Sequence, residues 1–555
     1  MNSLATAQKV RSVMTTDVAQ QSGRSRRRRV RVVLRVIVIG IAILALYAGL
    51  RFWILADPDR QVTISPETTI FTEPLRENGD VDFFAALDAK LSEGVTADNN
   101  AVVLFVEAYG PAEIPPERQA AFFDRLGIPE LPGDGDYLIG EHAFASRLAE
   151  QRGEDVVDVI ETFSDDRAAA SSRPWTRDDF PDVAAMLEQN RASLDLIVEA
   201  SLRSRYYSPL ISDDGLIVSP SQRSRYSSTL IVDEEHPMLL AVRQPIENSH
   251  RDAARQLAAR ALWKLGEGDA EGAWQDLLAC HRLARLTAQS WNMISAMMAI
   301  AIDTIAAASD EGYLSSDFVS AEQARQCLHD LENLPPLPST ADIFDTGERV
   351  TLVDSVTHFI RGGTETISVF SGDGETTHVE SRRRRTMLNA MIDWDVVLRF
   401  ANEWCDQSVE AMRIHDYKTR SSELQRLSNE FRTADGRPAL PLLMMRSIAG
   451  DREATSREFA EFLMALLAPA VEQARLAETR AMARDRLVRI AFALTIHHRE
   501  RGQYPATLND LAPDPLDEVP LDPFTDQPFA YFPTDAGGFW IYSLGDNIII
   551  QVHPE

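Results

Sequence analysis

Val36–Ala56 (VIVIGIAILALYAGLRFWILA) is an uninterrupted run of 21 residues with one charge, Arg51, and it constrains the chain more than any other stretch. At 1.5 Å per residue, a helix of that length spans roughly 30 Å, the hydrocarbon thickness of a bilayer. Arg51 falls near the far end, where its stem can reach the interface beside Phe52 and Trp53. Arginines at Arg24 and Arg26–Arg29 precede the run. That asymmetry predicts a cytoplasmic N-terminus and an exported body. The expected layout is a basic cytoplasmic tail over 1–29 and one membrane helix over 30–56. The bulk then lies periplasmic or extracellular at the inner (cytoplasmic) membrane. A cleaved signal peptide is the rival reading. Its charged region would be unusually long, no A-x-A site follows, and the residues after Ser25–Arg29 match a twin-arginine signal poorly.

Two further apolar runs invite the same question. Met293–Ala308 contains Asp303, and an aspartate at mid-membrane costs about 2.5–3.5 kcal/mol on insertion. Phe459–Val471 is short and carries Glu461. Both are expected to be buried helices of a soluble core.

The net charge of −28 hides an imbalance. Residues 1–56 hold ten of the 56 basic residues and one of the 84 acidic ones, Asp17, so the rest carries 46 against 83, a net of −37. Such a body repels phosphate backbones, which argues against nucleic acid as a partner. Hydrophobic residues make up 45% of the chain, enough for a large core. Cys280, Cys327 and Cys405 share no CxxC spacing, so neither a disulfide framework nor a zinc site is legible.

The exported body reads as helical. Asp57–Leu75 is an extended lead-in. Phe83, Phe84, Leu87 and Leu91 sit at helical spacing with Gly94 as a stop, and a second helix starts near Asp98–Asn100. Pro132–Gly140 is a loop that fits neither an EF-hand nor a dinucleotide fingerprint. "RSRYYSPLISDD" (Arg203–Asp214) recurs as "RSRYSSTLIVDE" (Arg223–Glu234), which suggests a β-like pair or two surface loops. Tyr206 and Tyr226 would then serve either local packing or a recognition surface. Ala253–Leu286 predicts a helical hairpin broken at Gly266–Asp269. Leu257, Ala261, Leu262 and Leu265 face Ala273, Trp274, Leu277, Leu278 and His281. Leu331–Ser339 is a Pro-rich linker, Arg361–Glu380 a loop, and Arg382–Arg385 reads as a solvated patch.

Chemistry is hard to find. There is no HExxH, nucleophile elbow or Walker loop. His497 and His498 are adjacent, so a helix points them about 100° apart; they are expected at an exposed helix end. The sequence singles out no catalytic, cofactor-binding or metal-ligating residue.

The last hundred residues form one unit. A helix over Glu472–Gly502 is followed by turns and short strands at Phe529–Phe532, Phe539–Ser543 and Ile548–Val552. Asp522-Pro523, Asp526 and Gly537-Gly538 supply the turns. The order helix, "GQYPATLNDL", "PLDPFTDQPFAY" and "YSLGDN" resembles the C-terminal half of the major pseudopilins of type II secretion, over residues 475–550. That resemblance implies a spine helix against a small antiparallel sheet. No G-F-x-x-x-E precedes the anchor, and no acidic Gly-rich tail follows Asp546-Asn547, so filament assembly and calcium binding are not expected. Most of residues 60–550 also resembles a set of single-pass membrane proteins of planctomycete-type bacteria. "LDAKLSEGVTADNNAVVL", "AARALWKLGEGDAEGAWQDLLACHRLARL" and "IDWDVVLRFANEW" carry that likeness, which implies a helical exported body and no particular activity.

The expected architecture is therefore mainly α. A helical exported domain (57–340) with a loop or β-like insertion is followed by a second helical region (341–455) and a pseudopilin-like α+β module (456–555). The expected function is scaffolding or partner binding at the outer face of the membrane, with lipid engaged through Val36–Ala56 and an envelope protein as a candidate partner. A tethered hydrolase with a non-local site and a secretion-apparatus component are the alternatives.

Overall fold

The computed structural model describes residues 62–212, 246–337, 339–362, 391–430, 451–534 and 537–552, with Leu46, Tyr47, Gly49, Leu239, Val242, Arg243 and Asn389. Apart from three of those positions, the predicted Val36–Ala56 anchor lies outside the described residues, as do Arg382–Arg385 and the second copy of the "RSRY" echo.

The described chain is mainly helical. Seven helices open it: α1 Phe83–Leu91, α2 Ala101–Tyr109, α3 Pro116–Leu126, α4 Glu141–Arg152, α5 Val156–Ala170, α6 Pro181–Gln189 and α7 Arg191–Ala200. A two-residue ladder, β1 Ile211–Ser212 with β2 Val242–Arg243, closes this part. The centre holds α8 Glu247–Gly266, α9 Ala270–Thr287, α10 Met293–Ser315 and α11 Ala321–Glu332. A short turn α12 Thr340–Ile343 runs through a π-turn, Phe344–Glu348, into α13 Arg349–Gly362. Then come α14 Trp394–Met412, α15 Tyr417–Glu430 and the 50-residue α16 Arg452–Arg501. The chain ends in an antiparallel sheet of β3 Ala530–Pro533, β4 Phe539–Tyr542 and β5 Ile549–Val552, in that order.

Helix limits follow the local chemistry. Asp82, Asn100, Asp269 and Asp451 each cap a first turn by accepting a backbone N–H. Gly502 ends α16 with φ 72°, a left-handed turn that glycine takes without strain. The predicted hairpin is present, with its break at Glu267–Asp269 and both apolar stripes buried. Gly266 has a separate reason: a Cβ there would lie 2.0 Å from the Trp175 carbonyl oxygen, so only glycine admits that backbone.

The three centre helices α8, α9 and α10 pack on one another, and α16 lies across α10, α11 and α14. The main apolar cluster joins α2–α11 to Ala483–Val552, so the C-terminal sheet shares the core of the first helices. A second cluster links Val81–Leu87 to α13 and α14, and a third links α14 and α15 to Met464–Val471. One helix, α16, contributes to all three.

By length and composition α10 is the one candidate membrane span among the described residues, with mean hydropathy 1.4 over its window. Packing accounts for that apolarity, because half of the window is buried and Asp303 is ion-paired inside the body. Phe459–Val471 is part of α16, which begins twenty residues before the predicted start. The first "RSRY" copy carries a short strand, and its Tyr206 serves local packing. Its described strand pairs with Val242–Arg243, and Tyr206 is buried with its hydroxyl on His250 Nε2 at 3.1 Å. His497 departs from expectation. It is buried, with Nδ1 on the Gln503 carbonyl at 3.0 Å, because the chain after Gly502 folds back over the helix end.

Candidate functional site

The sheet's two faces differ by the strict period of two along a strand. Phe539, Ile541, Ile550 and Val552 point inward and are fully buried against the helices. The other parity points out. Across the ladder, Phe532 lies opposite Trp540, and Tyr542 opposite Ile549. Phe532 is 56% exposed, Trp540 40% and Ile549 50%, with Leu544 beyond the strand end at 60%. The Phe532 and Tyr542 rings are parallel within 13° at 6.0 Å. An antiparallel sheet with one wet side normally carries polar residues there, so this aromatic row needs an explanation. It floors an open concavity of about 950 Å³ whose rim holds Thr534, Ser543, Asp546 and Asn547.

The opening turn of the "DPF" stretch fixes this surface. Asp522 is fully buried, and its carboxylate accepts from Phe524 N at 3.0 Å, Ser543 Oγ at 2.9 Å and Leu544 N at 3.0 Å. Its backbone carbonyl accepts from Thr525 and Asp526, and Asp526 takes φ 53°. The turn is thereby bolted to the β4–β5 connection. Arg480 of α16 holds Asp546 at 2.5 Å, and Arg486 donates to the Leu521 carbonyl at 2.6 Å. Paired with Arg480, the Asp546 carboxyl is held below its ordinary value.

A second place is a half-open cleft. A cavity of about 320 Å³ lies between α9, α10, the Pro336–Leu337 segment and α16. Its walls are apolar on the α10 side, at Ala296, Ala299 and Ile300, and polar on the α16 side, at Asp485, Arg486 and Arg489. Arg285 links it to a buried ionic network. Its guanidinium binds Asp303 closely and approaches Asp485 at 3.4 Å. His281 sits between Asp303 (2.9 Å) and Asp310 (3.1 Å). Burial pulls the imidazole down, but Asp310 and Asp303 outweigh it and raise its pKa to about 9. His281, Asp303 and Asp310 are each more than nine-tenths buried, so the network holds helices together and is closed to a substrate in this state.

Other polar groups are similarly internal. Burial drives His250 down to about 3, with Tyr109 and Tyr206 on its two nitrogens. Burial drives Glu247 up to about 7 against the Ser295 and Ser290 hydroxyls. The three cysteines are free and buried, and Cys405 is pushed up to about 12, which removes thiolate reactivity. Among the described residues no group of His, Cys, Asp and Glu is arranged to hold a metal ion.

Sequence reasoning singled out no site residue, and the aromatic row escaped it. The available signal was parity, because Phe532, Trp540 and Tyr542 share a face once the Gly537-Gly538 turn fixes the register. The Arg285–Asp303–His281 network had no such signal: His281 and Arg285 share one helix face, but nothing local shows that this face meets Asp303 of the next helix. No family model, curated protein or solved structure matches this chain significantly.

Proposed function

We propose that this is a membrane-tethered envelope protein that binds a saccharide chain on the outer face of its C-terminal sheet. The observation that carries this reading is the solvent-facing row of Phe532, Trp540 and Tyr542. Flat rings offer apolar faces to the C–H faces of sugars, and the hydroxyl, amide and carboxylate groups at the rim suit sugar hydroxyls. Size favours such a ligand over a folded protein. The concavity is lined by ten residues, whereas a stable protein interface engages about 20–30 on each side. The Val36–Ala56 anchor, with arginines before it, supports an extracytoplasmic position for this surface. The helical body then acts as a stand that carries the sheet away from the bilayer.

Cosedimentation of the full chain, reconstituted in nanodiscs, with purified insoluble cell-wall glycan tests the reading. Trp540→Ala and Phe532→Ala are each expected to weaken binding several-fold, at about 0.5–1.5 kcal/mol per aromatic contact. Absence of glycan binding, or binding unchanged in the double variant, overturns it. Protease shaving of intact cells tests the topology, and a body left intact refutes export.

A further inference from the structure

The half-open cavity beside α16 is a separate matter from the sheet. Its volume, about 320 Å³, corresponds to roughly ten waters, hence a ligand of about ten non-hydrogen atoms. Its two sides differ in chemistry. Small side chains on α9 and α10 (Ala288, Ala296 and Ala299) stop short of α16 and leave an apolar trough. The facing stretch of α16 carries Arg475, Arg480, Arg484, Arg486 and Arg489 against Glu478 and Asp485. This is a cationic excess in a body whose net charge is strongly negative.

Two of these carboxylates are already engaged. Glu478 pairs with Arg475 and accepts from Thr340 N at 2.9 Å. Asp485 is shared by Arg489 at 3.0 Å and Arg285 at 3.4 Å. Arg489 is thus paired with Asp485, and the lining cation without a carboxylate of its own is Arg486, whose Nη1 donates to the Leu521 carbonyl at 2.6 Å. Arg489 also keeps a buried Nε–H with no partner, though its Nη2 reaches the Leu331 carbonyl at 3.5 Å.

We propose that this cavity binds a small amphiphile with an anionic head, its class being a medium-length acyl carboxylate. The acyl tail lies along Ala296, Ala299 and Ile300, and the carboxylate sits at Arg489 and Arg486. Apolar walls with a few convergent polar groups are the usual make-up of a small-molecule site. Arginine's planar fork matches a carboxylate in geometry as well as charge. Met482, partly exposed, stands at the rim.

The test uses the full chain in lipid nanodiscs with a diazirine-bearing octanoate, photolysis, and peptide mapping by mass spectrometry. The expected labels fall on the peptides that hold Ala296–Ile300 and Met482. Excess octanoate should compete them away, while octanol and inorganic phosphate should not. Arg489→Gln should reduce labelling about tenfold, as loss of one charge-assisted bond requires. Met482→Glu, at a partly exposed position that folding tolerates, should reduce it as well by placing a negative charge at the mouth. The proposal fails if label spreads over exposed apolar residues regardless of competitor. It also fails if octanol competes as well as octanoate, or if phosphate alone does, or if the Met482→Glu protein labels like the wild type.

Discussion

Replacing Asp522 by alanine tests whether one buried carboxylate holds the C-terminal sheet in place. Its two oxygens accept three hydrogen bonds, from Phe524 N, Ser543 Oγ and Leu544 N, all between 2.9 and 3.0 Å. The residue is fully buried, so alanine leaves three donors without an acceptor and no ready access for water. At about 1 kcal/mol each, the local loss is about 3 kcal/mol. In a chain with several cooperating layers a single unfolding free energy is poorly defined, so local opening is the quantity to measure. Hydrogen exchange at the β4 and β5 amides should accelerate roughly a hundredfold, since about 1.4 kcal/mol corresponds to tenfold. Amides of α8 and α9 should keep their protection. Asp522→Asn should fall between, near tenfold. One amide oxygen can still serve Ser543 and Leu544, while the amide nitrogen meets the Phe524 N–H donor to donor. Exchange in β4 and β5 changed by less than threefold in the alanine variant would refute the latch.

The remaining predictions concern the interior and one surface contact. Glu247 is raised from 4.5 to about 7 by burial, so the folded state keeps its proton longer than the unfolded chain. Stability is full below about pH 4.5 and falls by about 3 kcal/mol as pH climbs to 7; Glu247→Gln should flatten thermal melting across that window. His281 is raised from 6.5 to about 9, so its contribution is present below pH 6.5 and disappears as pH rises through 9. Melting of His281→Gln should be markedly lower at pH 6, with the deficit shrinking by pH 9.5. At Gly347, an added Cβ would lie 1.6 Å from the Trp291 carbonyl oxygen, so Gly347→Ala should lower stability by about 3 kcal/mol, read by thermal unfolding. By contrast Arg325, which bridges Glu500 and Asp514 at a largely exposed site, should cost under about 1 kcal/mol when replaced by alanine.

Local pattern made much of this architecture readable. The α8–α9 hairpin announced itself through two apolar stripes around Gly266–Asp269, and both are buried. The three C-terminal strands fall within one residue of their predicted limits. Long-range partnership was not readable. Asp303 looked like a liability in an apolar run, because the groups that neutralise it, His281 and Arg285, stand one turn apart on the preceding helix. His497 looked exposed because nothing in its own helix shows that Gln503 folds back over it. The aromatic row needed only strand register, whereas the cavity depends on four elements whose mutual placement no spacing encodes.

The 50-residue length of α16 also has a bearing on biosynthesis. Because that helix supplies side chains to all three apolar clusters of the described residues, the segments made first complete their burial only once Arg452–Arg501 has been made. Completion of the core must therefore wait for that helix to emerge, with exposed apolar faces of the earlier segments open to chaperones in the meantime. A premature stop before Arg452 would leave all three clusters without their α16 contribution.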